Sequence, residues 1–251
     1  MSLNSIVGIA LDPNRARHVM PLLNSLGEFP EPHRESCEYT IRAANSEGQR
    51  SSASILVNRM YGWRGYESSG LAEDTDDRIT LVATDHDATV GTLTIGFDGG
   101  DGLLVDDLFR DKADELRQQG IKTCEFIKLA IDKVAHSRHV LASLFHVAFI
   151  YAHEVKGFDK ILIEINPRHV RFYQRMLGFE VLAPARLNRR VNAPAVLLGL
   201  DLEYVHRRIA AMDGQVMSAQ AVSTERSLYP YCFSAHEEAG IAVRLRTTAP
   251  A

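Results

Sequence analysis

Asn166-Pro-Arg-His-Val-Arg-Phe-Tyr-Gln-Arg-Met-Leu-Gly-Phe-Glu180 closes one strand and opens another around a single short helix. The run before it, Lys160-Ile-Leu-Ile-Glu-Ile165, is apolar and β-branched, as a buried strand requires. Pro167 suits the first helical position, where its missing N–H costs nothing and its φ is preset. Val170, Tyr173 and Leu177 then recur at helical spacing. Gly178 supplies a left-handed stop, and Phe179-Glu-Val-Leu182 begins the next strand. Periodicity alone leaves this as an ordinary β-α-β unit or as part of a ligand cleft.

The surrounding 251 residues suffice for one domain with a full core, or for a core with appendages. Hydrophobic residues at 45% and charged residues at 24% are those of a globular protein, and the formal charge of −4 offers nucleic acid no general attraction. The charge is uneven. From Arg64 to Glu115 there are 14 acidic against 4 basic residues, and from Lys133 to Arg190 there are 10 basic against 4 acidic. Brought to different faces, these segments make either a surface that receives an acidic partner or an unevenly solvated one. Cys37, Cys124 and Cys232 show no metal-ligand spacing and no even pairing, which fits a reduced, cytoplasmic setting with no metal. Ile6-Val-Gly-Ile-Ala-Leu11 is too short to span a bilayer, and no signal peptide or transmembrane helix is expected.

Residues 1–37 read as an irregular leader with a short helix after Pro13 and a turn at Phe29-Pro-Glu-Pro32. Residues 38–202 carry the main pattern. Glu38–Arg42 is a strand, and Asn45 or Ser46 caps a helix towards Tyr61. A polar loop leads to a hairpin over Ile79–Thr84 and Thr89–Phe97, with its turn at Asp85-His-Asp87. A helix over Asp111–Gln119, a strand over Lys122–Asp132 and a long apolar helix over Arg138–Lys156 follow. A final strand covers Ala195–Leu200. Residues 203–251 hold a helix to Met212 and then a polar, weakly patterned tail with an apolar patch at Leu228–Phe233. The expected fold class is α/β, with a mixed sheet.

This element order, with central parallel strands that splay into a cleft, resembles the GNAT acyltransferase fold. From about Tyr39 to Leu202, some two thirds of the chain, the sequence is similar to the long-chain N-acyl amino acid synthases of the FeeM type, relatives of the acyl-homoserine-lactone synthases. The motifs that carry the likeness are Arg59-Met-Tyr-Gly-Trp-Arg-Gly-Tyr66, Val90-Gly-Thr-Leu-Thr94, Cys124-Glu-Phe-Ile-Lys-Leu-Ala130, Leu144-Phe-His146, Asn166–Tyr173 and Arg190-Val-Asn-Ala-Pro-Ala195. Each is weak alone; six in order are not. The resemblance implies transfer of a fatty acyl group, delivered as a 4'-phosphopantetheine thioester on acyl carrier protein, to the α-amine of an amino acid, with no permanently bound cofactor. Where the lactone synthases carry arginines, on the second hairpin strand and three residues past the strand glutamate, this chain has Thr94 and Lys128. Ordinary GNAT enzymes approach the CoA pyrophosphate through a glycine loop before the long helix. Here that junction, Asp132-Lys-Val-Ala-His-Ser-Arg-His139, has no glycine. A carrier protein's single phosphate needs less, and Arg138, His139 and the free helix N–H groups suit it. An acetyl-CoA-dependent N-acetyltransferase and a non-catalytic sensor of acyl chains stay open as alternatives.

Amide formation from a thioester needs a neutral amine. An α-amino group of pKa about 7.7–8.0 is roughly one tenth neutral near pH 7, so one positioned carboxylate is an adequate base. Glu125 is the candidate, because a carboxylate in so apolar a strand needs a cleft or a partner; the other reading is an ion pair with Lys128 or Arg59. Strand alternation puts Glu125 and Lys128 on opposite faces unless a bulge falls between them. The resemblance implies an acid role for Tyr173 near the leaving sulfur, but one extra residue before Gly178 puts its orientation in doubt and favours a buried core role. Asn166, Arg168 and His169 stand where a strand opens into a helix, a usual place for ligand contacts, and Arg168 can hold a carboxylate or phosphate. By the same resemblance Arg59, Trp63 and Arg64 fold over the site and bind substrate, or else pack as a lid. Phe145, with Leu141, Leu144 and Ala148, is a candidate wall for an acyl chain, each buried methylene contributing about 0.8 kcal/mol. Lys156, Lys160, Arg171 and Arg175 would dock the acidic carrier protein or are simply solvated.

Overall fold

The computed structural model describes residues 5–10, 38–62, 75, 77–132, 137–212 and 227–248. Among them one eight-stranded sheet is built from Ser5–Ala10 (β1), Glu38–Ala43 (β2), Arg78–Asp85 (β3), Ala88–Phe97 (β4), Thr123–Ile131 (β5), Lys160–Ile165 (β6), Glu180–Asn188 (β7) and Ala193–Asp201 (β8). The spatial order is β1-β2-β3-β4-β5-β6-β8-β7. Every neighbouring pair is antiparallel except β5 and β6. Those two run parallel and share a ladder only over Thr123–Glu125 against Lys160–Leu162. Beyond it the two strands no longer pair with each other, β5 running on beside β4 to Ile131 and β6 beside β8 to Ile165, and a cleft opens between them. This is the GNAT arrangement.

The helices are Glu47–Gly62 (α1), Asp106–Gln118 (α2), Ser137–Phe149 (α3), Val170–Leu177 (α4), Leu202–Met212 (α5) and Ala235–Thr248 (α6). A π-helical turn, Ile150–Val155, continues α3. The main core lies on one sheet face, where α3 through α6 cover Ile41, Leu81, Leu93, Ile95, Phe126 and Leu198. On the other face α1 packs Leu56 and Val57 on Ala130, and α2 packs Phe109 and Leu116 over Leu162 and Leu197. Buried threonines cross this second face, with Thr80 Oγ1 2.9 Å from Thr94 Oγ1.

Local signals set most boundaries. Ser46 Oγ accepts from Gln49 N (3.3 Å) while Gln49 Oε1 accepts from Ser46 N (3.1 Å), a reciprocal cap that starts α1. Gly178, at φ 86°, ends α4 as expected, and a Cβ there would lie 2.6 Å from Tyr204 Cε1. Three expectations need correction. The leader is not wholly irregular, since Ser5–Ala10 pairs with β2 as an edge strand; the expected helix after Pro13 lies outside the described residues. Helix α2 begins at Asp106 rather than Asp111, because Asp106 Oδ2 accepts from Leu103 N (2.9 Å) and fixes the first turn; the helix kinks at Phe109 (φ −128°, ψ 31°). The weakly patterned tail forms α6, which buries only Ile241, Ala242 and Leu245, too short a stripe to stand out.

The patch at Leu228–Phe233 is packed as expected. Leu228 N donates to Met176 O (2.9 Å), and the buried Tyr229 hydroxyl donates to Leu177 O (2.6 Å), joining the tail to the end of α4. Tyr229→Phe leaves that carbonyl without its buried donor, so urea denaturation should show a loss of about 1–2 kcal/mol.

Candidate active site

Glu125 occupies the last shared rung of the parallel ladder, at the apex of the cleft. Its side chain is 1% exposed and lies on the sheet face under α2. Opposite it in β4 is Gly96, whose missing Cβ would fall 3.0 Å from Glu125 Cγ and Oε1. Glycine therefore makes the room for the carboxyl group. Oε1 accepts from Leu104 N (2.9 Å) and Oε2 from Val105 N (3.1 Å), two backbone amides just before α2. Burial pushes its pKa up to about 7, against the lowering pull of those amides and of Arg78 and Arg190. A carboxyl group so poised can take a proton near neutral pH.

A bulge does fall beyond Glu125. The β4–β5 register slips between Thr92 and Thr94, and Lys128 stands there at φ 51°. Burial, then Arg78, lowers the Lys128 pKa; Arg78 also acts on Glu125, so one charge bears on both groups. The ion-pair alternative for Glu125 is not what the structure holds. Arg59 instead pairs with Asp132 at the end of β5 (2.7 Å), and Glu125 is bound by amides.

Tyr173 packs edge-on against Phe172 and Phe179, with ring centroids 5.4 and 5.7 Å away. Burial raises the pKa of its phenol, with a further push from Tyr61. Tyr61 itself donates to Leu129 O in the bulge (3.0 Å), so α1, α4 and β5 meet at the cleft mouth. Phe145 is core on the opposite face, edge-to-face with Phe126 at 6.0 Å. Asn166 Oδ1 accepts from Arg168 N (3.2 Å), and Arg168 Nε donates to His169 Nε2 (3.1 Å), a local cap ahead of α4. Arg138 is exposed in the first turn of α3, and the His139 ring meets Tyr231 of the tail at 4.8 Å. Trp63 and Arg64 lie outside the described residues.

A second carboxyl group, which the sequence reading missed, lies across the cleft. Glu164 of β6 accepts from Asn188 Nδ2 of β7 and from Arg190 Nη2 (3.2 Å). Burial raises its pKa, against the lowering effects of Asn188 and Arg190. Arg190 also meets Asp107 Oδ2 (3.3 Å) and donates to Leu104 O (3.4 Å), so the β7–β8 turn grips the loop that holds Glu125. The available signal was a lone glutamate in an apolar strand, the same one that exposed Glu125, with Arg190 opening one of the noted motifs.

A splayed sheet with a buried, near-neutral carboxyl group at its apex and a second one across the gap defines an acyltransferase of the GNAT fold. A family model of the N-acyl amino acid synthase FeeM matches residues 52–201. The solved structure of FeeM, an N-acyl amino acid synthase from uncultured soil microbes, is similar at 26% identity and TM-score 0.60, covering 67% of this chain and 93% of that one. Weaker likenesses include the AHL synthase LasI (11% identity, TM-score 0.48, 66% of this chain and 91% of that one). Another is an acetyltransferase of the GNAT family from Streptococcus pneumoniae (16%, TM-score 0.45, 65% and 99%). No curated protein sequence matches. The chain belongs to the FeeM family of N-acyl amino acid synthases, and it is an acyltransferase enzyme. No helix among the described residues is long and apolar enough to cross a membrane.

Proposed function

We propose that this enzyme transfers a long-chain acyl group from a carrier-protein thioester to the α-amine of an amino acid, with Glu125 as the base. The observation that carries the proposal is the Glu125 carboxyl group, buried at the cleft apex with a pKa of about 7. That value lies within about one unit of a free α-amine, so proton transfer between them is close to balanced. The amine lone pair forms the C–N bond to the thioester carbon, and Glu125 takes the proton released. The edge of β5 that leaves the β6 ladder beyond Glu125 is suited to offer backbone N–H groups to the oxyanion. As the C–S bond breaks, the departing sulfur takes a proton. Glu125, protonated by the amine, returns that proton to it, and Tyr173, whose raised pKa keeps its phenol protonated, is suited to donate a hydrogen bond to the sulfur.

Arg190 and Glu164, paired with each other at 3.2 Å beside the cleft, set opposite charges side by side where the carboxylate and amine of an amino acid would bind. On the outer face of α4, Phe172 is exposed between the exposed Arg171 and Arg175, an apolar and basic patch that suits an acidic carrier protein. Incubation with a long-chain acyl carrier protein and the twenty amino acids, followed by mass spectrometry, should give an N-acyl amino acid. Acetyl-CoA runs in parallel, and product from that arm alone would overturn the reading.

A further inference from the structure

At the end of the long helix, away from the splayed strands, three histidines and two glutamates converge from helices distant in sequence. Glu154 comes from the π turn, His206 from α5 and Glu238 from α6. One donor atom from each of these three lies within 4.8 Å of the other two. We infer that Glu154, His206 and Glu238 form a binding site for a divalent transition ion of the zinc class.

The spacings point to coordination rather than hydrogen bonding. His206 Nδ1 is 3.6 Å from Glu154 Oε1, and His153 Nε2 is 3.8 Å from the same oxygen. Both separations are too long for a hydrogen bond. Around a tetrahedral ion with bonds of about 2.0–2.2 Å, neighbouring donor atoms stand roughly 3.3–3.6 Å apart. Two carboxylates held this close repel each other unless a cation lies between them. Arg246 Nη2 donates to the Glu154 backbone carbonyl (3.2 Å).

The surrounding hydrogen bonds fix the imidazoles in roles that suit such a site. His153 Nδ1 lies 3.0 Å from Phe158 O; a carbonyl only accepts, so Nδ1 carries the proton and Nε2 presents its lone pair towards Glu154. His146 is fully buried, and its Nδ1 accepts from Phe233 N (2.9 Å), so the neutral ring carries its proton on Nε2. That nitrogen has no hydrogen-bond partner and faces Glu238 Oε2 at 3.5 Å. This buried N–H beside Glu238 is a polar group aimed at the proposed site, placed where a small shift of the carboxylate would bring it into the outer hydrogen bond that metal ligands commonly receive. One imidazole with two carboxylates, and a second imidazole alongside, favours zinc, cobalt or nickel over magnesium or calcium, which prefer oxygen alone. The π turn is a further mark, since such turns are rare and recur at functional sites. Two of the three donors lie beyond residue 201, where the family match ends, and an ion held there would clip α6 to the core.

The test is a cobalt titration of the full, tag-free chain, followed by its d–d absorption. One ion per chain is expected, displaced by zinc, with affinity reduced at least tenfold in both His206→Ala and Glu154→Gln. His86→Ala, on the exposed β3–β4 turn, should bind as the wild type does. Zinc should raise the unfolding temperature of the wild type by several degrees and leave that of His206→Ala unchanged. His206 is exposed, so circular dichroism of that variant should match the wild type. No binding at micromolar cobalt, or equal binding by the wild type and both site variants, overturns the inference.

Discussion

Glu125→Gln should lower kcat by a factor of about 10²–10⁴ with the fold intact, the usual loss when a positioned base is removed. The wild-type rate should climb with pH through an apparent pKa near 7 and then level, and the variant should lose that limb. Stability supplies an independent reading with the opposite sign from most carboxylates. The folded pKa is raised above the unfolded value near 4.5, so the folded state holds this proton longer. Its stabilising share is whole below about pH 4.5 and is lost as pH rises through 7. With each pKa unit equal to about 1.36 kcal/mol, ionisation of Glu125 should cost the wild type roughly 3 kcal/mol between pH 5 and pH 9. The variant should not show this loss. At pH 5 it should be the weaker protein, because the glutamine amide faces one of the two backbone donors and leaves it unsatisfied, at about 1–3 kcal/mol. Urea denaturation at the two pH values measures the difference. Parallel stability curves would refute the buried proton, and an unchanged kcat would refute the base.

Arg117→Ala should be the costliest single change, at about 3–5 kcal/mol, because it strands carboxylates that are already out of water. Arg117 Nε and Nη2 donate to Asp98 (2.7 and 2.8 Å), Nη1 and Nη2 to Asp106 (3.0 and 2.7 Å), and Nη1 also to Asp114 (2.7 Å). The side chains of Asp98 and Asp106 are only 13% and 7% exposed. Burial alone would raise the Asp106 pKa; the hydrogen bond and charge of Arg117, with Leu103 N, outweigh it and hold it below the usual carboxylate range. That share of stability is present above the unfolded pKa and fades as pH falls. The same loop carries Leu104 N and Val105 N to Glu125, so the substitution should also move the pH–rate limb upward as those lowering bonds loosen. Denaturation at neutral pH and the pH–rate profile check both effects. A stability loss with an unmoved limb would separate the loop from the base.

The fold was legible wherever a local signal matched its tertiary setting. Pro167 and Gly178 bracket one helix, Ser46 and Gln49 cap another, and the lone Glu125 marked itself by standing in an apolar strand. The bulge at Lys128 was legible only as a condition, since alternation says what a slip would do and not whether it occurs. The partners of Glu125 were hidden because Leu104 and Val105 act through backbone N–H groups, which every residue except proline carries. The alternative pairing of Arg59 with Glu125 gave way to Asp132, the residue that follows the same strand. The His206 and Glu238 pairing with Glu154 depends on where three helices end up, and no spacing along the chain encodes that.

The two leaves of the sheet, β1–β5 and β6–β8, are stitched by only three rungs at one end. They can therefore open or close about that short spine without breaking a single hydrogen bond of the ladder. Accommodating a longer or bulkier acyl chain needs only a change in the angle of the book. The resistance to that change lies in the helical core that spans both leaves and in the clasp across the fore-edge, where Arg190 holds Leu104 and Asp107 and Arg186 holds Asp111.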